Sequence, residues 1–145
     1  MIGIASDHGG YKLKEEIIKK LQEENKEVVN YGTNNSDSVD YPDYASLLCS
    51  KITDKEVEKG IVICSTGIGV SMVCNKIKGI RCAKVDNEDE AYFTRFHNDA
   101  NVIALNGSTD IEKAYNLVKV FLETEFSDDE RHVRRIKKMM ENEND

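Results

Sequence analysis

The residues best suited to chemistry lie between Gly60 and Lys76, in the stretch GIVICSTGIGVSMVCNK. Ile61, Val62 and Ile63 form a continuous apolar run, as in a strand covered on both faces of a parallel sheet. Cys64 ends that run, and Gly67 and Gly69 open what reads as a helix. Glycines let the backbone turn sharply and bring successive N–H groups towards one point, and the helix adds the positive end of its dipole. Such a loop favours an oxyanion, and a cysteine among these donors is favoured as its thiolate. The pattern therefore predicts a thiolate beside an anion cradle. The plainer alternative is a buried cysteine before an ordinary strand–helix turn.

Three glycine-loop chemistries can be tested against the same stretch. A P-loop needs GxxxxGK[ST], which is absent. A dinucleotide fingerprint needs a third glycine where this chain has Met72, although Asp86 at the next strand end stands where a ribose ligand sits. A thiol phosphatase needs an arginine six residues after its cysteine, and Val70 occupies that place, so nothing grips the transferring phosphoryl group.

The chain has only three histidines. His8 follows Asp7 at a strand end, where the pair can bind a hydroxyl or a phosphate oxygen, or Asp7 can simply cap a helix. His97, in RFHNDAN, can move protons near neutral pH or satisfy helix carbonyls, and the sequence does not choose between them. His132 belongs to ERHVRR, where Arg131 and Arg135 are four apart on one helix face and can fork onto one phosphate. The preceding Asp128, Asp129 and Glu130 offer local salt bridges instead. Tyr41-Pro42-Asp43-Tyr44 reads as a polar-aromatic corner or, on physical grounds alone, a capped helix start.

The elements that must position these groups alternate from the first residue. Strands are predicted over Met1–Ser6, Val28–Tyr31, Gly60–Cys64, Ile80–Val85 and Val102–Leu105. Helices are predicted over Lys12–Glu24, from Pro42 to about Ile52, from the glycine loop to Ile77, Asn87–Phe96, Ile111–Glu123 and from Asp128 to about Met140. The closing ENEND reads as frayed. Alternation of this kind implies right-handed crossovers and a parallel sheet flanked on both sides. No repeat or composition break divides residues 1–145, so one domain is expected, with its chemistry beyond the carboxyl ends of the strands.

Composition excludes several classes. A net charge of −7 provides no broad basic surface, so nucleic-acid binding is not expected. No apolar run approaches the ~20 residues that cross a bilayer, and no charged leader precedes the first strand, which points to a cytoplasmic protein without membrane partners. Cys49, Cys74 and Cys82 show neither CxxC nor zinc-type spacing and read as small buried residues.

Together SDHGGYKLKEEI, VDYPDYA, ICSTGIGVSMVCNKIKGIR, RFHNDANVIAL and ERHVRR resemble the ribose-5-phosphate isomerase B family, with the galactose-6-phosphate isomerase subunits close by. The segments stand in family order and span nearly the whole chain. The resemblance implies an α/β fold, a three-layer, doubly wound, five-stranded parallel sheet of Rossmann-like type. It also implies aldose–ketose isomerisation of a sugar phosphate with no metal or organic cofactor. Homodimers or dimers of dimers with shared sites are expected.

By the same resemblance Cys64 is the base, Thr66 shuttles a proton between oxygens, and the backbone of Ser65, Gly67, Ile68 and Gly69 holds the enediolate. His97 opens the furanose ring beside Asn98, Asp7 and His8 bind the sugar and phosphate end, and Tyr41 and Asp43 line the site. Arg131 and Arg135 clamp the phosphate. The chain departs from the family at Ser65, usually glycine, at Ser108, often arginine, and at Lys84 and Val85, usually apolar or cysteine. These departures leave six-carbon substrates, allose 6-phosphate or galactose 6-phosphate, as an alternative to ribose 5-phosphate. A non-catalytic sugar-phosphate-binding subunit is a further alternative, which the retained Cys64, Thr66 and His97 argue against.

Overall fold

A computed structural model of the chain describes residues 1–143, and the last two residues of the ENEND tail lie outside it. Five strands, β1 (Ile2–Ser6), β2 (Val28–Asn30), β3 (Lys59–Cys64), β4 (Cys82–Lys84) and β5 (Val102–Asn106), form one sheet in the order β2-β1-β3-β5-β4. All four pairings are parallel. Helices α1 (Tyr11–Glu23), α2 (Tyr41–Thr53), α3 (Ile68–Cys74), α4 (Glu88–Phe96), α5 (Ile111–Glu123) and α6 (Glu130–Met140) complete the described chain. This is the three-layer α/β arrangement that the alternation implied. No helix among the described residues is long and apolar enough to cross a membrane.

The period-2 geometry of the strands sorts the core into two layers. Ile4, Ile61, Ile63, Ile103 and Leu105 pack with Leu13, Ile17 and Leu21 of α1, Ala91 of α4 and Leu117, Val118 and Phe121 of α5. Their alternates Ala5, Val62, Cys64 and Ala104 face the other way, towards Ala45, Leu48 and Cys49 of α2 and Val70 and Cys74 of α3. The winding changes direction between β1 and β3, so the crevice where such sheets collect ligands opens beside Ser6 and Cys64.

Three elements differ from the sequence expectation by two residues or more, each for a local reason. Helix α3 stops at Cys74 rather than Ile77, because the Asn75 amide leaves the helix to bond both backbone groups of Cys82, each at 2.8 Å. Strand β4 is shorter than Ile80–Val85, since it is an edge with one neighbour, and the Arg81 N–H donates to Asn101 Oδ1 instead of to a strand. Helix α6 begins at Glu130, the last of the three acids, rather than at Asp128: Asp128 has φ +58°, and the Asp129 carboxylate caps the Arg131 N–H at 2.8 Å.

Candidate active site

Cys64 closes β3 with its side chain towards α2 and α3, and only 5% of the residue is exposed. The chain then turns through Gly67, whose φ of +79° is the left-handed conformation that glycine adopts without a Cβ penalty. That turn aims the Gly67 N–H back at the Cys64 sulfur, 3.2 Å away. The Ile68 N–H donates to Thr66 Oγ1 at 3.1 Å, which leaves the Thr66 hydroxyl proton free to point outward. Ser65, Thr66 and Ile68 are exposed around this turn. A sulfur, a hydroxyl and a row of amides at a helix start thus converge at one strand end.

Neighbouring strand ends close around the turn. The Gly107 N–H donates to the Cys64 carbonyl at 2.8 Å, and a Cβ on Gly107 would lie 2.4 Å from the Gly9 carbonyl, so only glycine fits there. Gly9 in turn lies against the Ser65 hydroxyl, which is where the extra atoms of Ser65 sit. Asp7, buried, accepts the Gly10 N–H at 3.1 Å, the capping role available to it, while His8 is exposed with Nδ1 accepting the Val39 N–H at 3.1 Å. The Tyr41 ring lies over Gly69, and Asp43 is exposed in the first turn of α2. Asp7, His8, Tyr41, Asp43 and Ser65 to Gly69 therefore share the carboxyl rim with Cys64.

His97, Asn98, Arg131 and Arg135 do not lie on that rim. Helix α4 runs from the carboxyl end of β4 back to the start of β5, so His97 caps it at the amino edge of the sheet. Arg81, before β4, bonds the Asn98 and Asp99 carbonyls there. With Gly60 paired to Val102 and Cys64 to Asn106, the length of β3 separates the two edges, on the order of 15 Å. Helix α6 stays on the amino edge: the Ser127 N–H donates to Phe96, and Glu143 accepts the Gly79 N–H at 2.5 Å beyond its other end. Arg131 and Arg135 are exposed on it, Arg131 with only a 3.7 Å approach to Asp129.

Two residues join these arrangements without having been candidates. His132 stacks on His97 with ring centroids 4.3 Å apart, and Phe93 stacks on the other partner at 4.7 Å. Loss of solvent under the stack holds the His132 imidazole below the usual histidine range; positive charge at His97, Arg131 and Arg135 adds to this, and Asp129 opposes it. Gly107 is the other. Its signal was a glycine directly after the strand-end Asn106; for His132 it was the ERHVRR run itself.

Fold and rim together define a doubly wound α/β protein with a cysteine, a threonine hydroxyl and a glycine turn at the switch point of its sheet. The sequence profile of the Ribose/Galactose Isomerase family matches residues 2–139. Ribose-5-phosphate isomerase B of Escherichia coli is 38% identical over 136 residues, spanning 93% of this chain and 91% of the relative. The structure of a ribose 5-phosphate isomerase from Thermotoga maritima superposes with a TM-score of 0.94 at 42% identity, covering 97% of each chain. That of ribose-5-phosphate isomerase B from Mycoplasma genitalium, with bound ribulose-5-phosphate, superposes at 0.90 with 38% identity, covering 97% of this chain and 93% of the other. The chain belongs to the ribose/galactose isomerase family. It is an isomerase of sugar phosphates.

Proposed function

We propose that the enzyme interconverts D-ribose 5-phosphate and D-ribulose 5-phosphate through an enediolate, with Cys64 as base. The observation that carries this reading is the Gly67 N–H held on the Cys64 sulfur at the mouth of the α3 loop. The thiolate takes the proton from C2 and returns it to C1. Thr66 passes a proton between the two sugar oxygens, its own oxygen fixed by the Ile68 amide. The amides of Ser65 and Gly69 hold the enediolate oxyanion as charge develops there, joined by those of Gly67 and Ile68 as they turn from Cys64 and Thr66 towards the substrate. Asp7 and His8 contact the sugar and phosphate end, and Tyr41 and Asp43 line the approach.

Ring opening by His97 with Asn98, and the phosphate clamp of Arg131 and Arg135, require a second copy of the chain. Within one chain these residues stand a strand length from Cys64. A carboxyl rim facing the amino edge of another copy brings all of them to one substrate. Exposed apolar side chains flank both surfaces: Tyr41, Leu47, Ile68 and Met72 near the rim, and Tyr92, Phe93 and Val133 near His97. Burying such side chains supplies the association energy of a homodimer. The anchored phosphate then holds C1 and C2 against the base, using binding energy remote from the reacting carbons.

A coupled isomerase assay over pentose and hexose phosphates tests the substrate. Ribose 5-phosphate should give the highest kcat/KM. A tenfold preference for allose 6-phosphate or galactose 6-phosphate would replace it with a six-carbon substrate, and absence of any turnover would leave a binding subunit.

A further inference from the structure

The turn that follows α4 carries His97 and Asn98, and two arginines from different parts of the chain hold it. Arg95, buried near the end of α4, donates from Nη1 to Asp99 Oδ1 at 2.7 Å and to the Ala100 carbonyl at 2.8 Å. Its Nε donates to the Thr124 carbonyl at 3.1 Å. Arg81, before β4, donates from Nε to the Asn98 and Asp99 carbonyls, each at 3.1 Å, and from Nη2 to the Asp99 carbonyl at 2.7 Å. The same Nη2 stands 3.5 Å from Asp99 Oδ2. One carboxylate therefore lies between two guanidinium groups, each of which also holds the main chain beside it.

Each part of this arrangement has a local cause. A helix leaves the carbonyls beyond its last turn without partners, and here the two arginines supply them. Asp99 has φ +47°, a left-handed conformation that a short polar side chain tolerates better than most, and its carboxylate returns to Arg95 four residues earlier. Thr124 closes α5, so the Arg95 bond to it ties the turn to the segment that leads into α6. The Ser127 N–H adds a second tie, to the Phe96 carbonyl at 3.2 Å. Helix α6 then presents His132 to the face of His97, with ring centroids 4.3 Å apart.

We propose that Asp99, held by Arg81 and Arg95, is a positioning residue that sets the place of the His97 ring and of Asn98 against α6. The proposal deepens the ring-opening role given to His97 above and rests on it for its effect on turnover. Asp99 touches no reacting atom and acts through the main chain of the turn. Bonds from a guanidinium to a carboxylate are stronger and more directional than neutral ones, so the carboxylate is the part of the turn that links both arginines. Without it each arginine keeps its carbonyl bonds, but nothing couples Arg81 to Arg95 across the turn. A catalytic group displaced by about 1 Å loses on the order of 10²-fold in rate, which makes a small relaxation of this turn measurable.

The test uses Asp99→Gly, which removes the carboxylate where glycine adopts the left-handed φ without strain, and Asp99→Asn, which keeps the shape and one acceptor oxygen. Turnover is measured on ribose 5-phosphate and on 4-deoxyribose 5-phosphate, which lacks the hydroxyl that closes a furanose. Asp99→Gly should lose at least about tenfold in kcat/KM on the first and less than about threefold on the second, and Asp99→Asn should recover part of the loss. The imidazole C–H resonances of the three histidines give a readout independent of catalysis, since ring currents displace those of stacked rings. Asp99→Gly should shift the His97 and His132 signals and leave those of His8 in place. Unchanged His97 and His132 signals overturn the proposal, as does a selective loss on ribose 5-phosphate in His97→Asn with none in Asp99→Gly. Should His97→Asn lose equally on both sugars, the ring-opening reading fails; shifted His97 and His132 signals in Asp99→Gly would still uphold the positioning role, and unshifted ones would overturn it.

Discussion

Replacing Gly67 by alanine separates the structural cost of the turn from its part in the reaction. The left-handed conformation at φ +79° costs a residue with a Cβ about 1–2 kcal/mol. That Cβ would also lie 2.9 Å from the carbonyl carbon of Leu105 and 3.0 Å from its oxygen, a strand backbone that yields little. The turn must then shift by a few tenths of an ångström and draw its amide away from the Cys64 sulfur. The strain should lower Tm by roughly 3–8 °C. Against a total stability of about 5–15 kcal/mol the chain remains folded at 25 °C, so lost activity is not lost protein. Each misaligned oxyanion donor should cost about 10²–10³-fold in kcat.

Gly79→Ala is the matched control. Its φ of +86° imposes similar strain, its nearest obstruction is a Thr53 methyl at 3.9 Å, and it lies on the amino edge. Calorimetry with steady-state kinetics on both variants should show a fall in Tm for each, larger in Gly67→Ala because of the added backbone clash, and a collapse of kcat in Gly67→Ala alone. If Gly67→Ala kept kcat within about threefold of the parent, well short of the loss of one donor, the loop would not be the oxyanion cradle.

His97→Asn should slow turnover of ring-closed substrate far more than of an open-chain analogue, and equal losses would remove its ring-opening role. Arg135→Ala should raise KM with kcat largely kept; an unchanged KM would return α6 to local salt bridges. Because the His132 imidazole is held below the usual range, the unfolded chain takes up its proton first, so stability falls as pH drops through that range towards the folded value. Between about pH 7.5 and about pH 5.5 the parent should therefore lose more Tm than His132→Phe, which keeps the ring stack, and identical losses would discount the pair.

The frame was legible where local signals agreed with tertiary packing. Helix α5 runs from Ile111 to Glu123 as its spacing implied, because Ala114, Val118 and their neighbours all face one sheet. The β3–Cys64–Gly67 turn was legible because an apolar run, a cysteine and a glycine each carried a separate signal. Edge strand β4 was overread, since apolar content marks burial and says nothing about a missing neighbour. His97 was recognised by type, but its distance from Cys64 follows from the direction of α4, which no motif encodes.

The base assignment is tested most directly by Cys64→Ala, assayed for turnover of ribose 5-phosphate alongside binding of an unreactive phosphorylated inhibitor. Isomerisation should fall by at least about 10²–10⁴-fold while inhibitor affinity stays near that of the parent. Turnover at the parental rate with that sulfur removed would contradict the account.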